Sequence, residues 1–332
     1  MLSSNRRAAI EFVLDHLVWF ILIAVLALFS LTIPNYFQIG IFANIVEQST
    51  FVGTLAIGLS LLIIAGYMDL SIESVMALAA MVVGILFAKS GVGLGIGFTP
   101  EWLVVPISLA IALGVGALVG ASNAFFVVKL KMNSFIVTLA AFIWGRGLVV
   151  ALSGGRSAQE LPSELRFLAI ERFLHIPLMA WVAIAATLIF AFILNRTPFG
   201  RHLLMIGGNA TAAYRAGIKV DKLTAMTFIL AGSIAGLAGW LLAIRTSGAT
   251  ANLGVGMLFQ TFAAVVIGGV SLKGGVGSLP GVYAGVLLLA SIQTAINLMG
   301  MPAHFTQLIQ GGMVLVAVLL DTFKLNIRKR LA

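Results

Sequence analysis

The chain has 332 residues, of which 61% are apolar and only 9% charged, with a mean hydropathy of +1.11. A soluble domain is about a quarter charged, so water is excluded as the main solvent, and too little polar sequence remains for a separate soluble catalytic domain. The absence of cysteine rules out disulfides, thiolate metal sites and thiol nucleophiles, and the net charge of +9 sits between apolar runs with no aromatic-interleaved basic stripe, which argues against nucleic acid as a partner.

A hydrocarbon core about 30 Å thick takes about 20 apolar residues per helix, so the chain has material for about ten spans. Apolar runs punctuated by Pro, Gly and charge predict an all-α, polytopic membrane protein, a single transmembrane domain over residues 1–332. The first five helices are expected at Leu17–Ile33, Ile41–Ala65, Ser71–Ala88, Trp102–Val128 and Ser134–Leu152. The others are expected at Pro177–Asn195, Leu223–Ile244, Leu258–Val270, Leu279–Met299 and Phe305–Phe323, the eighth being short and Gly-flanked. Arg6 and Arg7 before the first run could suggest a secretory signal, but no small-residue cleavage site follows and the run is long enough to span, so an uncleaved helix is expected.

An even number of spans puts both termini on one side, and the cations say which. Arg6, Arg7, Lys129, Lys131, Arg196, Arg201, Arg215, Lys219, Lys222, Lys273, Lys324, Arg328, Lys329 and Arg330, 14 of the 20 Lys and Arg residues, share a side, which is therefore expected to be cytoplasmic together with both termini.

Two loops are long. The outer one, 153–176, alternates charge with apolar residues as a short amphipathic segment at the interface would. The inner one, 196–222, is basic and rich in small residues, and Gly207-Gly208-Asn209 reads as a turn capping a short helix that ends at Gly217. Ile63–Ser71 faintly echoes Val266–Leu272, as an internal repeat about an axis along the membrane normal would.

Four stretches, in order, carry a family resemblance over nearly the whole chain. They are Ala65-Gly66-Tyr67-Met68-Asp69-Leu70-Ser71, Ser134-Phe135-Ile136-Val137-Thr138-Leu139 with Arg146-Gly147, Thr197-Pro198-Phe199-Gly200-Arg201 leading to Gly207-Gly208-Asn209 and Ala216-Gly217-Ile218, and Ala263–Ser271 with Gly274–Ser278. Together they resemble permease subunits of the ribose, xylose, arabinose and galactose type of ATP-binding cassette importers. The chain departs from that pattern at Glu73, where the family usually has Gly, at Ser134, where it has Pro, and at Leu258, where it has an acidic residue.

The resemblance implies a pair of permease chains, identical or paralogous, in the bacterial inner membrane, with a cytoplasmic ATP-binding subunit below and a periplasmic solute-binding protein above. The cargo would be a small carbohydrate, a monosaccharide or related polyol. This chain would be no enzyme and bind no cofactor, ATP and Mg belonging to partner subunits. Independently, the sequence has no Gly-x-x-x-x-Gly-Lys-Ser/Thr phosphate loop, since Gly274 follows Lys273. Arg201, Gly207, Gly208, Asn209, Ala212, Ala213, Arg215 and Gly217 of the inner loop would then couple to the ATPase, the alternative being an ordinary solvated loop.

The signature turn Asp69-Leu70-Ser71 is read as a cap or backbone brace, with a proton relay as its rival. That rival carries the alternative function, a secondary transporter coupled to protons through Asp69 or Glu73. Arg146 is either a solute ligand or a brace between helices. Gln48, Asn123, Gln260, Gln293 and Asn297, with Gln307 and Gln310, are candidates to line a polar passage or to bond between helices. Arg156, Arg166 and Arg172 are candidates for docking an acidic rim of a binding protein, and His175, His202 and His304 lack metal-ligand spacing, so no metal site is expected. Glycines at 114, 116, 120, 232 and 236 are expected to let helices pack closely.

Overall fold

The computed structural model describes residues 4–302 and, beyond them, 305, 308, 309, 311, 312, 315, 316, 318, 319 and 322; for residues 4–15 it describes the backbone alone. In chain order the elements are α1 (Ser4–Thr32), α2 (Ile39–Ile64), α3 (Ile72–Phe87), β1 (Ser90–Gly91), α4 (Val104–Ala124) with a π-helical turn Phe125–Lys129, and α5 (Ser134–Ser153). There follow β2 (Ala158–Gln159), α6 (Ser163–Ile170), β3 (Arg172–Phe173), β4 (Ile176–Pro177), α7 (Leu178–Arg196), α8 (Pro198–Gly208) and α9 (Ala210–Arg215). The remainder are α10 (Val220–Thr246), β5 (Gly248–Ala249), α11 (Met257–Ile267) and α12 (Leu279–Leu298).

The chain is an α-helical membrane protein. Among the described residues, α2, α4 with its flanking turns, α5, α7, α10 and α12 are long and apolar enough to cross a membrane, while 16–32, α3 and α11 are shorter apolar helices. Nine expected helices thus have counterparts. The tenth, Phe305–Phe323, is described at ten of its 19 positions, all helical, while Gln307, Gln310, His304, Lys324, Arg328, Lys329, Arg330 and the side chains of Arg6 and Arg7 lie outside the described residues.

Burial is uneven. α2 is almost wholly enclosed and α10 and α12 mostly so, whereas α4, α5 and α7 present most of their surface outward. The close crossing of α4 with α10 depends on glycine: a Cβ on Gly116 or Gly120 would run into the Gly232 or Phe228 carbonyl, and one on Gly232 or Gly236 into the Gly116 or Ala112 carbonyl. Gly114, expected to share this role, meets nothing within 4 Å because it points away from the crossing. Trp240 Nε1 donates to Ser108 Oγ at 2.9 Å across the same pair of helices.

The loops separate into two groups. At one end, β1, β2 and β5 form a small antiparallel sheet in that order, closing the ends of α3, α5 and α10. At the other, the end of α2 meets α8 and the 271–278 loop, where Gly275 N donates to Ile64 O at 2.8 Å. The echo has a structural counterpart there. α2 and α11 end in the same way, with Gly66 at φ +85° and Gly269 at φ +91°, and with Tyr67 N donating to Leu62 O and Val270 N to Val265 O. A residue with a Cβ is strained at such a φ, so glycine is what stops both helices.

Candidate functional site

The 196–222 loop is more helical than its composition announced. Pro198 starts α8, where its missing N–H costs nothing, and Leu203 and Ile206 turn inward. Asn209 then caps α9, its side-chain oxygen accepting from Ala212 N at 2.9 Å. Gly217 at φ +85° ends that helix, with Ile218 N donating to Ala213 O at 3.1 Å. Ile206, Ala213 and Ile218 form a small core that fastens the two helices to the start of α10.

Of the coupling candidates, Arg201, Gly208, Asn209, Ala212, Arg215 and Gly217 are exposed, whereas Gly207 is half-buried and Ala213 is buried. The last two therefore face the molecule. Sequence reasoning missed Met205 and Tyr214, which stand 52% and 73% exposed on the same outer surface; the helical register of α8 and α9 was the signal that could have found them. Gly207 matters from within: a Cβ there would overlap Ile64 O and crowd Gly275 N. Backbones of α8, α2 and the 271–278 loop thus touch with no side chain between them.

The signature turn is a brace. Asp69 Oδ1 accepts from Ser71 N at 2.7 Å and Ser71 Oγ at 2.6 Å, and Asn123 Nδ2 donates to Ser71 Oγ at 2.9 Å. From α5, Thr138 Oγ1 accepts from Leu70 N at 3.0 Å and Ser134 Oγ from Met68 N at 3.4 Å. Asp69 is buried and satisfied within its own turn, and no hydrogen bond among the described residues links it to another titratable group.

Gln48, Gln260 and Gln293, far apart in sequence, line one cleft of about 50 Å³ between α2, α11 and α12. Gln293 Nε2 donates to Asn297 Oδ1 at 3.0 Å and Gln48 Nε2 to Asn44 Oδ1 on its own helix. That volume holds a few waters at most. Asn123 belongs elsewhere, on the signature turn.

Arg146 makes its bonds just beyond the signature turn. One guanidinium nitrogen, Nη1, donates to Leu253 O at 2.9 Å, and the other, Nη2, forms an ion pair with Glu73 Oε1. The second oxygen of Glu73 accepts from Leu258 N at 2.9 Å, at the amino end of α11, whose own cap residue Gly256 has no side chain. The departures at 73 and 258 therefore meet in space. The carboxylate expected at 258 reaches the amino end of α11 from α3 instead.

Arg156, Arg166 and Arg172 are all exposed near the sheet end. Arg172 is also structural, since with Arg245 it holds the buried Glu47 of α2, at 3.3 Å and 2.6 Å respectively.

Comparison with known proteins places this architecture. Residues 41–318 match the family described as the permease component of branched-chain amino acid transport systems. The chain is 33% identical to the L-arabinose ABC transporter permease protein AraH of Azospirillum brasilense, over 93% of this chain and 88% of that one. It is 31% identical to the ribose import permease protein RbsC of Escherichia coli K12, over 91% and 92%, and 34% identical to RbsC of Bacillus subtilis, over 92% and 91%. No solved structure matches at a comparable level.

Proposed function

The chain belongs to the family of permease components just described, and on that premise we propose that it carries a small carbohydrate, a monosaccharide or related polyol, through an ATP-binding cassette importer. It sits in the bacterial inner membrane as the permease subunit, and ATP is hydrolysed on a separate subunit. A periplasmic binding protein delivers the solute, a second permease chain completes the membrane unit, and both termini lie in the cytoplasm.

The observation that carries the coupling role is the glycine-only junction of Gly207 with Ile64 and Gly275. An ATPase closing against Arg201, Met205, Asn209, Tyr214 and Arg215 would move α8, and the junction would pass that motion to α2 and to the loop between α11 and α12. Support for a sugar over an amino acid comes from the relatives and from the cleft chemistry. Gln48, Gln260 and Gln293 line the cleft with neutral amides, whose chemistry suits hydroxyls. An amino acid would call for a carboxylate and a cation free to pair with it, whereas Glu73 and Arg146 already hold each other.

The proton-coupled alternative finds no footing, because Asp69 is tied into its turn and Glu73 into an ion pair. Arg156 and Arg166 are assigned to the binding-protein surface, where they would speed docking through charge. The test is reconstitution with the ATPase and binding-protein partners in proteoliposomes. ATP-dependent uptake of a labelled pentose or hexose is expected; uptake driven by a proton gradient without the ATPase would overturn the proposal.

A further inference from the structure

Residues 250–256 join β5 to α11 as a run of turns, with Gly254 at φ +74° and Gly256 at φ +88°. Their depth can be read from what they touch. Leu253 O and Leu258 N are held by Arg146 and Glu73. On α5, Arg146 lies about 18 Å from the first residue, Ser134, and about 10 Å from the last, Ser153, at 1.5 Å per residue. On α3, Glu73 stands about 16 Å below Gly84, which packs against Ala158 and Ala249 of the end sheet. Both rulers put the segment well inside the span. It descends from the sheet end to the interior, where α11 starts and runs on to the opposite end, stopping at Ile267.

One side of this re-entrant segment is uncovered. Val255 is 65% and Phe259 63% exposed, Asn252 is exposed, and the Arg146 side chain keeps 18% of its surface accessible. Gly147, beside Arg146, is exposed with nothing within 4 Å of a Cβ. Two independent rules forbid hydrocarbon here. Non-helical backbone at membrane depth exists only where protein buries it or it lines a water-filled cavity. A guanidinium at that depth likewise faces the bundle interior or water.

We propose that residues 252–259, pinned from behind by the Glu73–Arg146 pair, form a wall of the aqueous passage that a hydroxylated solute follows through the membrane. The proposal rests on the permease reading above and adds to it a location: the passage runs past the amino end of α11. The cleft of Gln48, Gln260 and Gln293 lies on another side of the same short helix.

Because the chain has no cysteine, each position can be probed singly in the full importer in membrane vesicles. Val255→Cys and Phe259→Cys are compared with Leu188→Cys, on the outward surface of α7, using a membrane-impermeant methanethiosulfonate. A thiol reacts as its thiolate, which forms in water, so labelling at 255 and 259 is expected to be at least about tenfold faster than at 188. Labelling at 255 should then block uptake. Reaction at both positions no faster than at 188 would overturn the proposal, whether lipid or a second copy covers them. Uptake by the unlabelled importer is measured in parallel: its loss would count against the permease reading, while the labelling pattern still decides the wall.

Discussion

Glu73 and Arg146, 73 residues apart, meet as an ion pair that joins α3, α5 and the amino end of α11. A charge buried as deeply as that of Glu73 needs a partner, so the pair is expected to act as one unit.

Replacing either partner alone strands the other. Glu73→Ala also leaves the Leu258 N–H without its acceptor. Each single change is expected to cost about 3 kcal/mol. The double variant Glu73→Ala with Arg146→Ala removes both charges and is expected to cost clearly less than the two single alanine costs added together, by about 1 to 3 kcal/mol. Denaturation of the purified chain in detergent measures this, and strict additivity would show that the two residues act separately.

Neighbouring glycines in the inner loop should behave oppositely. Gly207→Ala places a methyl against Ile64 O, whereas Gly208→Ala points into open space. The first is expected to cost about 1 to 3 kcal/mol by overpacking and to impair ATP-driven uptake, and the second to leave both nearly unchanged. Proteoliposome uptake beside ATPase binding separates a loss of coupling from a loss of docking.

The α4 and α10 crossing makes a similar contrast. Gly116→Ala and Gly232→Ala force apart backbones in direct contact, while Gly114→Ala only replaces glycine in a helix with a better helix former. The first two are expected to destabilise by about 1 to 3 kcal/mol, and the third to stabilise by up to about 1 kcal/mol. Thermal unfolding of the three variants is the check.

Tyr214 and Arg215 stand on the exposed surface of α9, and their side chains make no hydrogen bond or ion pair among the described residues. Tyr214→Ala and Arg215→Ala are each expected to weaken capture of the ATPase by at least about 1 kcal/mol while leaving the fold intact. Co-purification with the ATPase, beside the unfolding midpoint of the chain, tests it; unaltered capture by both variants would move the docking surface elsewhere.

Much of the helical order was legible because burying about 20 residues in hydrocarbon writes a long apolar run into the chain. α8 was missed because its apolar residues, Phe199 and Leu203–Ile206, make a run too short to read as a span and are flanked by basic and small residues. The turn at Asp69 was legible, since Asp and Ser two residues apart can close a turn by themselves, though Ser71 makes no side-chain cap bond to α3. Arg146 stayed open between ligand and brace because its partners, Leu253 and Glu73, are 107 and 73 residues away. No local rule reaches that far.

Composition and run length by themselves determined the solvent of this protein, its helical class and where most of its helices lie, because those follow from transferring each segment out of water. Charge placement gave an expectation of sidedness, and motif order gave the family. Only the tertiary structure decided that the separate departures at 73 and 258 are one contact, that Gly207 packs directly against the Ile64 carbonyl, and that Arg146 reaches the turn before α11. Each of these depends on which distant segments come within hydrogen-bond or van der Waals range, and that is set by packing of the whole bundle.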